Sequence, residues 1–147
     1  MTTLYKAFFV AAFLLAPIPA ARAQTASVPA IDPSISQLVS GGYWESGARR
    51  GSYRVVELAS GWEHIRRRVV VQWLLEPSSP EASSRVVATV PLEKFAEEVY
   101  SVSEPALVFT GGWYLTVRTS SRPDAQPDGT LKFKLGAPNK LQPIDTK

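Results

Sequence analysis

The stretch of sequence that decides the fold runs from Ser52 to Glu76 and reads SYRVVELASGWEHIRRRVVVQWLLE. Both halves of it are rich in valine and aromatic residues, and the Ser60-Gly61 pair between them is typical of a turn. The pattern predicts two antiparallel strands, residues 52–58 and 62–76, joined as a β-hairpin.

The register of this hairpin follows from its turn. With Leu58 opposite Glu63, Glu57 lies opposite His64 across the two strands. This register also sets Arg54 opposite Arg67, a like-charge pair that costs stability and indicates a bulge or a different turn nearby. The expected apolar face of the second strand comprises Ile65, Val69, Val71, Trp73 and Leu75. The opposite face carries His64, Arg66, Arg68 and Gln72.

Further strands are predicted where apolar residues run or alternate between turn signals. In a second hairpin, the Gly111-Gly112 turn would pair Phe109 with Tyr114. The segments with this pattern are residues 85–90, 106–110, 113–119 and 131–135.

Two short helices are expected beside the strands. Asp32 and Pro33 form a typical helix start, apolar residues then recur at helical spacing, and Gly41 ends the segment. Residues 91–100 show the same spacing after Pro91. The predicted fold class is therefore mainly β, an antiparallel β-sandwich or small barrel with one or two short helices.

Residues 1–23 have the order of a secretory signal peptide. Lys6 precedes a short apolar run, and Ala21 and Ala23 are the small residues expected before a cleavage site at Gln24. The run is interrupted by proline and falls short of the roughly 20 apolar residues that a bilayer span needs. The expected organisation is a signal peptide at 1–23, a flexible lead-in and short helix at 24–39, a β domain at 40–136 and a C-terminal tail at 137–147.

Composition narrows the class of protein. The 147 residues are 45% hydrophobic and 20% charged, as in a globular single domain. Cysteine is absent, which excludes a disulfide framework and a lipidated cysteine. Removal of residues 1–23 takes away Lys6 and Arg22 and lowers the formal charge from +3 to +1, so nucleic acid is not an expected partner. We expect a periplasmic protein with no membrane anchor in its mature chain, the extracellular space being the alternative.

The sequence contains no defensible catalytic, metal or cofactor signature. His64 could act as the general base of a small hydrolase if Glu57 orients it across the hairpin. A nucleophile elbow is missing, so the preferred interpretation is a surface histidine and no catalytic residue. One histidine and no cysteine do not favour a transition-metal site, and the carboxylates lack the spacing of a calcium loop.

Aromatic and basic residues supply the binding candidates. Trp44, Trp62 and Trp113 lie beside glycine-containing turns and could stack on sugar rings, which gives the alternative of a carbohydrate or peptidoglycan-binding module. The leading hypothesis is a non-enzymatic protein-binding or envelope-assembly module with a protein partner. Four further candidate binding residues are Tyr53, His64, Arg66 and Arg68. The face that carries them could also bind anionic polymers of the cell envelope.

Overall fold

The computed structural model describes residues 31–95, 99–123 and 125–144. The predicted signal peptide and the lead-in at 24–30 lie outside the described residues. The strands are β1 (Ile35–Ser46), β2 (Arg49–Ser60), β3 (Arg66–Leu75), β4 (Arg85–Pro91), β5 (Ser101–Phe109), β6 (Trp113–Ser120), β7 (Gly129–Leu135) and β8 (Leu141–Ile144). A single 3-10 turn, Leu92–Phe95, is the only helical element among the described residues.

The strands form two four-stranded antiparallel sheets. One sheet has the order β1-β2-β3-β4 and the other has the order β5-β6-β7-β8, so in each sheet every strand pairs with its neighbours in the chain. One cluster of buried apolar side chains contains residues from both sheets, as in two packed layers. The predicted mainly antiparallel β class is confirmed, and the two sheets fit the sandwich alternative.

The core follows from the period-two alternation of side chains along the strands. On β3, Val69, Val71 and Trp73 are fully buried, while the residues between them are more exposed. On the second sheet, Leu115 and Phe133 are fully buried in the same way and belong to the same cluster. Removing this apolar surface from water supplies the main drive for the two sheets to associate.

The carbonyl oxygen of Gly136 ties the two sheets together at one end of the core. It accepts a hydrogen bond from Trp73 Nε1 at 2.8 Å and another from the Tyr53 hydroxyl at 3.2 Å. Both donors belong to the first sheet, and Gly136 directly follows β7 of the second. The two large aromatic side chains are therefore buried without leaving their polar atoms unsatisfied.

Stability is expected to fall above pH 10 because of Tyr53. Burial raises the pKa of the Tyr53 hydroxyl from its usual value of 10.0 to about 12. The unfolded chain releases this proton first, so unfolding becomes more favourable as the pH rises from 10 to 12. Over that range we expect the wild-type protein to lose about 2 kcal/mol more stability than Tyr53→Phe, as measured by urea unfolding at each pH. Parallel pH profiles for the two proteins would contradict this.

The predicted register of the central hairpin is wrong by five positions. Leu58 lies opposite Arg68 instead of Glu63, because residues 61–65 form a longer loop between β2 and β3. The longer loop also removes the expected like-charge pair, since Arg54 lies opposite Gln72 and donates from Nε to its Oε1 at 2.8 Å. Of the predicted apolar face, Val69, Val71 and Trp73 are buried as expected, whereas Ile65 belongs to the loop and is exposed.

Three further local predictions need correction. The helix expected at residues 32–41 is wrong, because from Ile35 onward this segment is β1, which pairs along the open edge of β2 and gains hydrogen bonds that a helix of this length cannot match. The helix expected at 91–100 is reduced to the turn Leu92–Phe95, with residues 96–98 outside the described part. The expected loose tail contains β8, which pairs with β7.

The second hairpin also has a different register. Phe109 lies opposite Trp113 rather than Tyr114, because three residues, Thr110 to Gly112, make the turn. Gly111 has a φ of 65°, and the Thr110 amide donates to the Gly112 carbonyl at 2.9 Å. The one-residue change places Phe109 and Trp113 side by side at the end of the sheet.

Candidate functional site

Two ends of the β domain carry the side chains of interest, and β2 connects them. Trp44 lies opposite Gly51 near the start of β2, and the loop of residues 61–65 follows its last residue, Ser60. From Gly51 to Ser60 the strand spans about 30 Å. We call the first end the aromatic end, defined by Tyr43, Phe109 and Trp113, and the second the loop end, defined by residues 61–65.

Three aromatic rings meet at the aromatic end. The centroids of Phe109 and Trp113 are 5.2 Å apart with their planes at 53°, and the centroids of Tyr43 and Trp113 are 6.3 Å apart at 77°. Tyr43 and Phe109 are exposed, whereas Trp113 between them is half-buried. Phe109 lies on the same face of β5 as Leu107, but it is exposed whereas Leu107 packs against the core.

The chain brings Tyr43 to this cluster through an irregularity in β1. The pairing between β1 and β2 shifts between Gly41 and Trp44, and Gly42 within the shift has a φ of 67°. A Cβ atom at Gly42 would lie 2.8 Å from ring atoms of both Trp113 and Tyr53. Only glycine allows the backbone to pass this close to the two rings with a left-handed conformation.

The aromatic end is concave. A cavity of about 310 Å³ lies between Tyr43, Phe109, Trp113 and the backbone after β7. A second, open groove of about 460 Å³ adjoins it and shares Tyr43. Its polar lining comprises Glu45, Arg50, Ser52, Glu76 and Ser84.

Charged groups in the groove are already partly paired. Arg50 forms an ion pair with Glu76, and both side chains remain largely exposed. An exposed pair of this kind contributes little to stability and can exchange its partner for a ligand group. The site therefore combines an open depression bordered by aromatic rings with an adjacent groove that carries exchangeable polar groups.

The structure does not bring the three candidate tryptophans together. Trp44 is only 3% exposed, and its Nε1 donates to the Ser52 carbonyl at 3.1 Å, so it is a core residue and not an exposed ring. Trp113 is at the aromatic end, whereas Trp62 is at the tip of the opposite loop and 97% exposed. The three tryptophans therefore do not form one shared surface.

The other candidate residues also separate. Tyr53 is buried beside Trp73 and does not belong to the arginine face, because β2 turns its odd-numbered side chains inward. Arg66 donates from Nε to the Tyr100 carbonyl at 3.0 Å, and its guanidinium carbon lies 5.9 Å from the centre of the Tyr100 ring. Arg68 reaches Glu93 at 3.7 Å on the exposed side of the sheet.

Glu57 is the buried polar centre of the loop end. Its carboxylate is 1% exposed and accepts three hydrogen bonds: Ser36 Oγ and Arg67 Nη1 each donate to Oε1 at 2.8 Å, and the Glu104 amide donates to Oε2 at 2.7 Å. Glu57 lies opposite Val69 rather than His64, which is in the exposed loop. The hypothesis that Glu57 orients His64 across the hairpin, which the sequence did not favour, is therefore wrong.

Sequence reasoning missed Tyr43 and Phe109 as site residues and missed the burial of Glu57. An apolar row that continues past the core toward the Gly111-Gly112 turn was the available signal for Phe109. For Tyr43 the signal was the Gly41-Gly42 pair directly before it. A glutamate in an alternating strand gives no local sign that it faces inward.

Neither metal ligands nor spanning helices are found among the described residues. Within residues 31–95, 99–123 and 125–144, no three histidine, aspartate or glutamate side chains are grouped as metal ligands would be. No helix in the same part of the chain has the length and apolar character needed to cross a membrane. In comparisons with known proteins, no family model, curated protein or solved structure matches this chain.

Proposed function

We propose that this chain is an exported, non-enzymatic module of the periplasm that binds a protein partner through its aromatic end. The supporting observation is the cavity between Tyr43, Phe109 and Trp113, in which two exposed rings flank a third. Exposed aromatic side chains around a concave apolar surface are typical of the few residues that dominate protein–protein binding energy. Export is supported by the composition of residues 1–23.

The ring geometry favours a protein segment over a sugar. A pyranose stacks on a flat, accessible ring face, but the rings of Tyr43 and Phe109 are inclined at 77° and 53° to Trp113. Inclined rings surround a volume that suits a bulky apolar side chain. The adjoining groove, with Arg50, Glu76 and Ser84, offers both donors and acceptors to the backbone on either side of that side chain.

The indole N–H of Trp113 lacks a hydrogen-bond acceptor in the described part of this end of the domain. Its Nε1 atom is buried and has no hydrogen-bond acceptor among the described residues. A buried donor without an acceptor costs about 1–3 kcal/mol. In this proposal, a carbonyl oxygen of the bound segment supplies the missing acceptor.

Replacement of Phe109 by alanine is expected to weaken capture of the partner about tenfold or more, since a central aromatic contact contributes about 2 kcal/mol. The measurement is cross-linking of the tagged protein in its own cell envelope, followed by quantitative mass spectrometry of recovered proteins and glycans. Val108→Ala is the matched control, because Val108 is 45% exposed against 56% for Phe109 and lies on the opposite face of the same strand.

The recovered material decides between the two binding hypotheses. A protein captured by the wild type and by Val108→Ala but lost with Phe109→Ala supports the proposal. Recovery of cell-wall glycan alone would replace it by the carbohydrate alternative. Equal capture by all three proteins would show that the aromatic end is not the binding surface.

A further inference from the structure

The loop end exposes an apolar tip. Trp62 is 97% exposed, and Ile65 in the same loop is also exposed. Gly61, at the start of the loop, has a φ of 109° and allows the chain to turn away from β2. Two exposed apolar side chains in one five-residue loop form a small apolar surface, and such surfaces are candidates for contact with a partner or a membrane.

Arginines lie at the base of this tip. Three consecutive residues, Arg66 to Arg68, begin β3 directly after the loop. Arg67 is held by Glu57, whereas the side chain of Arg66 lies over the Tyr100 ring with its donors near the surface. Arg122 lies at the same end, because it lines a cavity together with Ile65 and Arg67.

The cavity beside the tip is polar. Its volume is about 330 Å³, and among the residues that the structure describes Glu104 is the one lining carboxylate. Side-chain hydroxyls and two guanidinium groups provide the remaining polar lining.

We propose that the loop end binds the surface of an anionic phospholipid bilayer, with Trp62 and Ile65 inserted at the level of the headgroups. Tryptophan prefers the boundary between headgroups and acyl chains, because its ring is apolar and its N–H is polar. The arginines at the base then lie at phosphate depth, where they are attracted to negative lipid charge. The apolar tip can contact the upper part of the acyl chains, and the arginines at its base can contact the phosphate groups of the same lipids.

This arrangement orients the module. The aromatic end lies about 30 Å away along β2 and would face away from the bilayer, open to a partner. Lipid binding is independent of the proposed partner binding, since no residue of the aromatic end takes part in it.

Replacement of Trp62 by alanine is expected to weaken binding to vesicles of phosphatidylglycerol and phosphatidylcholine in equal parts by roughly tenfold, because the indole supplies most of the buried apolar surface. Binding is measured by co-sedimentation of the purified chain, together with a blue shift of tryptophan emission that Trp62→Ala abolishes. Because Trp62 is exposed, the variant is expected to keep the wild-type unfolding midpoint. Val108→Ala is the control, since it removes an exposed apolar side chain near the other end that belongs to neither proposed site.

Charge variants test the electrostatic part. Arg66→Gln and Arg122→Gln are each expected to lower vesicle affinity about fivefold, whereas Glu63→Gln, which removes a negative charge from the tip, is expected to raise it. Vesicles of phosphatidylcholine alone should bind weakly. The lipid proposal would be overturned by equal binding to both vesicle types or by no binding at all. It would also be overturned if Trp62→Ala bound like the wild type, or if position 62 formed cross-links to protein only. None of these results alters capture through Phe109, so the two proposals can fail separately.

Discussion

Replacement of Glu57 by alanine is expected to destabilise the protein by about 3 kcal/mol, because three hydrogen bonds to its buried carboxylate are lost and each contributes about 1 kcal/mol or more. The carboxylate joins the two sheets: Glu57 belongs to β2, and the amide that donates to its Oε2 belongs to Glu104 of β5. Glu104 has a φ of 50°, so its backbone holds an uncommon conformation that this hydrogen bond supports. Urea unfolding at neutral pH gives the free energy directly.

The partners of Glu57 define the controls. Glu57→Gln keeps the volume and some of the hydrogen bonds but removes the charge, so its loss of stability should be intermediate. Arg67→Ala leaves the carboxylate buried with only Ser36 and Glu104 as donors and should cost nearly as much as Glu57→Ala. Arg67 is partly exposed, so water can solvate its guanidinium group after Glu57 is removed. A double-mutant cycle of Glu57→Ala and Arg67→Ala should therefore show that their effects on the free energy of unfolding are not additive. A Glu57→Ala variant within about 1 kcal/mol of the wild type would contradict the role given to this carboxylate.

Local patterns were sufficient to predict strands at β2 to β7 and the inward face of β3, but not β1 or β8. Val69, Val71 and Trp73 alternate with a period of two, and that period depends only on the backbone of the strand itself. The register in which neighbouring strands pair was harder to predict, because the same turn residues occur in loops of several lengths. Ser60-Gly61 looks like a tight turn, yet β3 begins only at Arg66. The spacing of apolar residues after Pro33 likewise fits a helix, and only the free edge of β2 makes it a strand.

The candidate sites depend on long-range contacts and were therefore harder to predict. Tyr43 and Trp113 are far apart in the chain and meet only because both sheets end at the same place. Trp44, beside Tyr43, faces the core, so the two neighbouring aromatic residues have opposite roles that composition cannot distinguish. Glu57 is an acidic residue and yet points inward, because Arg67 and the Glu104 amide donate hydrogen bonds to its carboxylate there. In each case the decisive partner belongs to another strand.

Replacement of Gly42 by alanine is expected to lower stability by about 3 kcal/mol and to disrupt the aromatic end at the same time. A φ of 67° disfavours any residue with a Cβ, which accounts for about 1 kcal/mol. The added methyl would also lie 2.8 Å from ring atoms of Trp113 and Tyr53, and such overpacking costs about 1–3 kcal/mol. Tyr53 is fixed by the core, so Trp113 is the ring expected to move.

If Trp113 is displaced, Gly42→Ala affects partner binding as well as stability. The cavity between Tyr43 and Phe109 should lose its shape, and partner capture should fall even in protein that remains folded. Gly47→Ala is the matched control: Gly47 has a similar φ of 61°, but its Cβ would meet no atom within 4 Å. It should therefore show only the backbone cost of about 1 kcal/mol and normal capture. If the two variants behaved alike, close packing at Gly42 would not be what positions Trp113, and the aromatic end would owe its geometry to the turn after Phe109 alone.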